Sequence, residues 1–497
     1  MVAQLNRIEP STSAQDFFKN YISKRTPVVI KGFPDDATFK AQRWADLDYL
    51  ESKAGDVSLL VEPMHPATQQ FGSDVQRIPM PFRDFLVSLR SEGGPFHYLT
   101  TQYSGEDWDA LTVFSPPTDA LADDFPLIPR IMGNLFLQQV NLWLGKSVDG
   151  SSSGLHHDFH DNLYILLKGC KRFVLYPPEE HQNLYPYGDV HEVYQNGVIA
   201  YDPVLRADGL DQRVALKARM EALEQQMNAQ QRGKGKGRMN GEADRLQQAY
   251  DEAHCELMKY EDEDSEVMNG NQWAGEEEDF EVDGEEGEED GDFGSLAGDL
   301  EDGRDDYDLL MGNLDEVDDA FRAAASGDEG SSGEDADDVE KPSDKEPASF
   351  SRLPTAHLHK HLKLPTTAVL PIDFSPELFP RFGNSRAPFV VELSAGETLY
   401  LPASWWHEVT SSGSAIGDEK SENGTNMHMA FNYWFYPPDA ESFDEPYKDK
   451  LVWDCLKAKA GKECQKVNLE NIDRESVLEG KRKRDVVETG ATKRAKR

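Results

Sequence analysis

Residues 261 to 346 hold 36 Asp or Glu against four Lys or Arg, a net charge of 4 − 36 = −32. Such a segment cannot form a core, because its few apolar side chains cannot offset the entropy lost on ordering the chain. It includes EEEDFEVDGEEGEEDGDFGS and SSGEDADDVEK, broken mainly by Gly and Ser, and is expected to be disordered. The full 497 residues carry −41, so most of the net charge sits in this tract. Whatever folds must be built from the sequence on either side of it.

On the amino-terminal side, residues 1 to 204 read as globular. AQDFFKNYISK and RWADLDYLESKAG suggest early helices, and PVVI, FHYLTTQ and NLWLG suggest strands. GLHHDFHDNLYILLKGCKRFVLYPP offers two apolar runs around the turn Lys168-Gly169-Cys170, which predicts a tight antiparallel pair. Residues 205 to 262 switch to helical spacing, with Leu216, Met220, Leu223 and Met227 before a GKGKG break and Leu246, Tyr250, Ala253, Leu257 and Tyr260 after it. That pattern predicts a helical hairpin leading into the acidic insertion, residues 263–350. Strand character returns in residues 351–445, at PFVVEL and TLYLP around the turn Ser394-Ala395-Gly396-Glu397 and at MHMAFNYWFYPP. Residues 446–497 read as a helical segment and a basic tail. Either β-rich part alone would leave open sheet edges, so the two are expected to be halves of one interrupted domain.

Cys170, Cys255, Cys455 and Cys464 form neither a CxxC pair nor a close-spaced framework, which argues against a disulfide scaffold or a zinc ribbon. No secretory pattern opens the chain and no apolar run approaches the roughly 20 residues of a membrane helix, so a soluble intracellular protein is expected.

The chemistry concentrates at Leu155-His156-His157-Asp158. Alternation along a strand points His156 and Asp158 inward and His157 outward, presenting an imidazole and a carboxylate to one point. A second imidazole would complete the two-histidine, one-carboxylate facial triad that leaves metal positions open for a bidentate cosubstrate and oxygen. The candidate is His407, in GETLYLPASWWHEVTS.

TPVVIKGF, FHYLTTQ, NLWLGKS, LHHDFHDNLYILLKGCKRFVLYPPEE, GETLYLPASWWHEV and FNYWFY occur in this order, and together the sequence resembles the Jumonji C (JmjC) oxygenases. The resemblance is to the small protein hydroxylases of that family, those like the asparaginyl hydroxylase factor inhibiting hypoxia-inducible factor and the JmjC lysyl hydroxylases. It runs through roughly residues 15 to 200 and 370 to 440. It implies a mainly β fold with flanking helices, a double-stranded β-helix of the jelly-roll or cupin type, here interrupted by the insertion. It implies that His156, Asp158 and His407 bind Fe(II), and that Lys171 pairs with the distal carboxylate of 2-oxoglutarate, assisted by Tyr98 and with Ser153 where the family often has threonine. A buried carboxylate demands such a partner. Asn162 and Asn432 match polar positions bordering metal and cosubstrate, and Trp434 an aromatic wall.

Bland alternatives stand beside these roles. Lys168 competes with Lys171, Tyr98 fits a barrel tyrosine, and Asn162 fits a turn former. In HLHKHL, alternating His357, His359 and His361 would share a strand face, but without a clear fourth ligand they read better as a surface tract. His157, His160 and His428 are expected to be bystanders or supporting residues.

The implied activity is hydroxylation of a protein side chain at the expense of 2-oxoglutarate and O2, with N-methyl demethylation by the same triad as the alternative. The carboxyl-terminal KRKRDVVETGATKRAKR resembles a bipartite nuclear import signal, pointing to the nucleus, with the cytoplasm as a second location. The acidic insertion suits basic partners such as histones or ribosomal proteins and would repel nucleic acid. A third reading keeps the barrel as a nuclear binding protein for those partners. Pairing of two chains through helices near the barrel or the helical hairpin is open.

Overall fold

The computed structural model describes residues 3–64, 76–91, 96–102, 113–146, 150–233, 241–272, 347–372, 374–413 and 427–461. The acidic tract from 273 to 346 and the basic tail lie outside the described residues. The chain divides into two compact units, residues 1–210 with 306–497, and residues 211–305.

The first unit is built on strands β1 (Arg7–Ile8), β2 (Val28–Ile30), β3 (Ser58–Pro63), β4 (Ile78–Pro81), β5 (His97–Leu99), β6 (Leu137–Lys146), β7 (Ser151–His156), β8 (Asp161–Lys168) and β9 (Cys170–Tyr176). There follow β10 (Glu192–Val193), β11 (Ile199–Ala200), β12 (Phe389–Ser394), β13 (Thr398–Leu401), β14 (Trp406–Ser412) and β15 (Met427–Phe435). The large sheet runs β1-β2-β13-β8-β15-β6-β5-β3-β4 and the small sheet β12-β9-β14-β7. From β6 to β9, and again from β12 to β15, the chain changes sheet at every step except across the insertion. That is the double-stranded β-helix.

The expected hairpin of NLYILL and RFVLY does not form, because β8 and β9 lie in different sheets. Both runs are buried on both faces rather than alternating, so each needs cover above and below, which two stacked sheets provide. Gly169, at φ 83°, turns the chain between sheets, and a Cβ there would lie 2.8 Å from the Ser412 carbonyl oxygen. The pair that does form is β9 with β12, antiparallel from Leu175↔Phe389 to Cys170↔Ser394. The insertion therefore sits in the connection between two neighbouring strands. Closing so long a loop adds little entropy cost, since that cost grows only logarithmically with length.

Flanking helices cover the outer faces. Trp44 and Phe125 pack on Phe431 at centroid distances of 5.0 and 4.7 Å, and Phe17 packs edge-on to Tyr400 at 5.3 Å. Helix Thr355–Leu362 contributes Leu358 to the cluster of Val174, Tyr176 and Trp406. A terminal helix at 450–461 buries Val452 and Trp453, the latter stacked 4.1 Å from Tyr447.

In the second unit, helices Gln212–Gly233 and Gly241–Gln272 pack through Leu216, Ala253 and Leu257, flanked by Met220 and Tyr260, as their spacing predicts. Among the described residues no helix is long and apolar enough to cross a membrane.

Candidate active site

Between the sheets, Phe173, Val409, Trp143, Tyr164 and Ala430 meet in one apolar cluster. Strand side chains alternate, so residues two positions away share the inward face. By that parity Lys171, His407, Asn141, Asn162 and Asn432 all face the barrel interior.

β7 and β14 are antiparallel neighbours that place His156 directly opposite His407, with ring centroids 4.3 Å apart. Asp158 follows just beyond β7, and its Oδ2 lies 3.7 Å from His407 Nε2. Ligand-capable atoms of the three lie within 4.8 Å of one another. His156 Nδ1 donates to the Gly154 carbonyl at 3.1 Å and His407 Nδ1 to the Trp405 carbonyl at 2.9 Å. Those bonds leave each Nε2 lone pair free, the arrangement a metal-ligating histidine needs. Burial, then the neighbouring His407, push His156 down to about 4, so it stays neutral. Two imidazoles and a carboxylate fit a divalent iron. His157 points to the other side as expected, yet it is buried there, with Nε2 2.8 Å from the Tyr201 hydroxyl.

The ligand loops are held by a carboxylate that sequence reasoning missed. Asp161, fully buried, accepts two bonds from Arg25, one at 2.7 Å, and others from the Tyr400 hydroxyl at 2.7 Å and Ala403 N at 2.9 Å. Ser404, at φ 62°, donates its N–H to the Asp158 carbonyl at 2.7 Å. The turn before β14 and the loop after β7 are thus tied together, fixing His407 against Asp158.

At the opposite end of the interior, Lys171 is 3 % exposed. Its Nζ donates to Ser411 Oγ at 2.7 Å and lies 5.6 Å from the Tyr98 ring centroid. Burial pushes the ammonium down to about 7, and among the described residues no carboxylate pairs with it. A buried cation without an anion fits a site for an anionic ligand. Tyr98 reaches it because Gly145 stands opposite in register; a Cβ there would collide with the Tyr98 ring. His428, 5.3 Å from Tyr98 by ring centroids, is pushed down by burial and by Lys171. Lys168 is only half-buried, at the end of β8.

Asn162 and Asn432 interlock: Asn432 Nδ2 donates to Asn162 Oδ1 at 3.1 Å, while Asn432 Oδ1 accepts from Trp143 Nε1 at 2.8 Å. Trp434 stands opposite Asn162 in register and edge-on to Trp143 at 6.1 Å. Ser153 is not brought to Lys171. Its hydroxyl donates to the Gly154 carbonyl at 3.0 Å and accepts from Val409 N at 3.2 Å, bracing β14. The hydroxyl at Lys171 belongs to Ser411, four residues after His407 on the same strand face, a position that parity alone could have found.

The histidine tract is a helix rather than a strand, so His357 and His361 share a face while His359 points elsewhere. His359 is fully buried, with Nε2 3.1 Å from Glu408 Oε2, while His357 and His361 pack on Phe382 at 5.5 and 4.8 Å. A surface tract is therefore corrected to a packing helix. Glu408 also accepts from Ser152 at 2.5 Å and Thr410 at 2.8 Å. Burial pushes its carboxyl up, but His359 and the two hydroxyls prevail and hold it below the ordinary range. This network backs the strand that carries His407. On the interior side, Phe350 stacks on His156 at 4.8 Å.

A family profile described as a cupin-like domain matches residues 14–441. JmjC domain-containing protein 4 of Schizosaccharomyces pombe is 35 % identical over 469 residues, covering 91 % of this chain and 88 % of that protein. Lysine-specific demethylase JMJ30 of Arabidopsis thaliana is 29 % identical over 180 residues, 36 % of this chain and 38 % of the relative. tRNA wybutosine-synthesizing protein 4 of Neurospora crassa is 26 % identical over 183 residues, 35 % of this chain and 14 % of the relative. With its triad at the mouth of a double-stranded β-helix and a relative matched over almost its whole length, the chain belongs to the cupin-like JmjC family of oxygenases.

Proposed function

We infer that this protein is an Fe(II)- and 2-oxoglutarate-dependent oxygenase that hydroxylates a side chain of a protein substrate. The observation that carries the reading is the Lys171 ammonium, buried with no carboxylate partner among the described residues, in the interior that also holds His156, Asp158 and His407. Iron with 2-oxoglutarate and O2 would couple decarboxylation of the cosubstrate to succinate with insertion of one oxygen into a C–H bond. His156, Asp158 and His407 would hold the metal from one side and leave its other positions open. Lys171 and Ser411 would fix the distal carboxylate of the cosubstrate, with Tyr98 closing the space behind it. Trp143 and Trp434 present apolar walls that limit water around the reacting groups. The acidic tract supports a basic protein as the target, and the basic tail supports a nuclear location.

The test is succinate formation by the full chain with Fe(II), 2-oxoglutarate and basic nuclear or ribosomal protein fractions, followed by mass spectrometry of the products. Addition of one oxygen is the expected outcome. Loss of a methyl group would favour a demethylase, the activity named for the Arabidopsis relative. Succinate no higher than in a His156→Ala control would sink the reading and favour a protein that only binds basic partners.

A further inference from the structure

Gln139 and Asn141 lie on the inward face of β6 and take no part in holding the metal ligands or Lys171. Asn141 is fully buried, and among the described residues neither its Nδ2 nor its Oδ1 has a hydrogen-bond partner. Gln139 is 4 % exposed, and its Oε1 is likewise buried and unpartnered. Buried amides of this kind are nearly always satisfied in folded proteins, and each orphaned group carries a desolvation penalty. A fold that needed only packing here would place an apolar side chain.

Register locates these groups. Asn141 pairs with Asn432 and Gln139 with Trp434, while Trp434 and Phe435 pair on their other side with Asn162 and Asp161. Asp161 holds the turn that delivers His407. The two amides therefore line the metal end of the interior, whereas Gly145, opposite Tyr98 on the same strand, marks the Lys171 end. Side chains two apart on a strand stand roughly 7 Å from each other, a span that brackets the end of one extended side chain. The orphans are two acceptors, Gln139 Oε1 and Asn141 Oδ1, and one donor, Asn141 Nδ2. A group entering there must bring N–H or O–H donors for both oxygens.

We propose that Gln139 and Asn141 are the specificity-determining residues of the active site, and that they hold the N–H-bearing end of a nitrogen-containing target side chain while a C–H bond lies at the metal. This rests on the oxygenase reading. A site built around unpaired hydrogen-bonding groups rejects analogues that cannot pair with them far more strongly than an apolar pocket rejects a change of size.

The test uses the full chain with Fe(II), 2-oxoglutarate and degenerate peptide libraries, each with one fixed central residue. Libraries centred on Lys, Arg, Asn, Gln or His should stimulate succinate formation at least about tenfold over libraries centred on Leu, Val or Phe. In Asn141→Leu and Gln139→Met that preference should fall by about tenfold or more, with thermal stability equal or higher, because an unpaired polar group has been removed. The affinity of Mn(II)-loaded protein for 2-oxoglutarate should stay within about twofold. Asn141→Asp keeps the shape and should shift the preference towards Lys and Arg. Equal turnover of the apolar libraries, an unchanged preference in the variants, or a drop in stability with Asn141→Leu would overturn the proposal. So would a tenfold loss of 2-oxoglutarate affinity, which would move Asn141 to the cosubstrate. No succinate from the wild-type protein with any library would instead count against the oxygenase reading itself.

Discussion

Replacing Lys171 by Met removes the buried ammonium while keeping the length of the stem. Burial has brought this group from 10.5 to about 7. At about 1.36 kcal/mol per tenfold, charging it in the buried interior costs on the order of 5 kcal/mol. The unfolded chain keeps the proton up to its ordinary value. Between about 7 and 10.5 the unfolded state therefore binds more protons than the folded one, and stability rises with pH across that window. Below about 7 the folded protein carries the full cost. Lys171→Met should lose this pH dependence and melt higher than the wild type near neutral pH without cosubstrate. An anion in the site restores the charge, so 2-oxoglutarate binding above about pH 7 should take up a proton and weaken up to about tenfold per pH unit. Calorimetry of Mn(II)-loaded protein in buffers of different ionisation enthalpy measures that uptake. A charge-assisted hydrogen bond contributes about 1.5–3 kcal/mol, so Lys171→Met should lose at least about tenfold in affinity. Binding without proton uptake near about pH 8.5, or full affinity in the Met variant, would refute the reasoning.

Asp161→Asn leaves the Arg25 guanidinium without its carboxylate and should cost about 3–5 kcal/mol in urea unfolding, with weaker Co(II) binding because the His407 turn loosens. Gly145→Ala forces Tyr98 off Lys171; a loss of about 1–3 kcal/mol in stability and a weaker 2-oxoglutarate affinity are expected, by melting and titration. Glu408→Ala strands His359 behind β14, and chemical denaturation should show a loss of about 3 kcal/mol.

The sequence by itself determined the strand-forming runs, the helical hairpin and the identity of the candidate ligands. Each depends on a local period or a short motif: His156 and Asp158 share a pleat, and Leu216, Ala253 and Leu257 recur at helical spacing. Which strands pair was not legible. NLYILL and RFVLY look like a hairpin because they are close in sequence, yet β8 and β9 enter different sheets and β9 pairs with β12 across the insertion. Pairing is decided by which faces must be covered, a property of the whole barrel rather than of either run. The same holds for Ser411 in place of Ser153 at Lys171, for His359 buried against Glu408, and for the unpaired amide of Asn141. A side chain's partners across 240 residues depend on register and sheet order, which only the closed fold supplies.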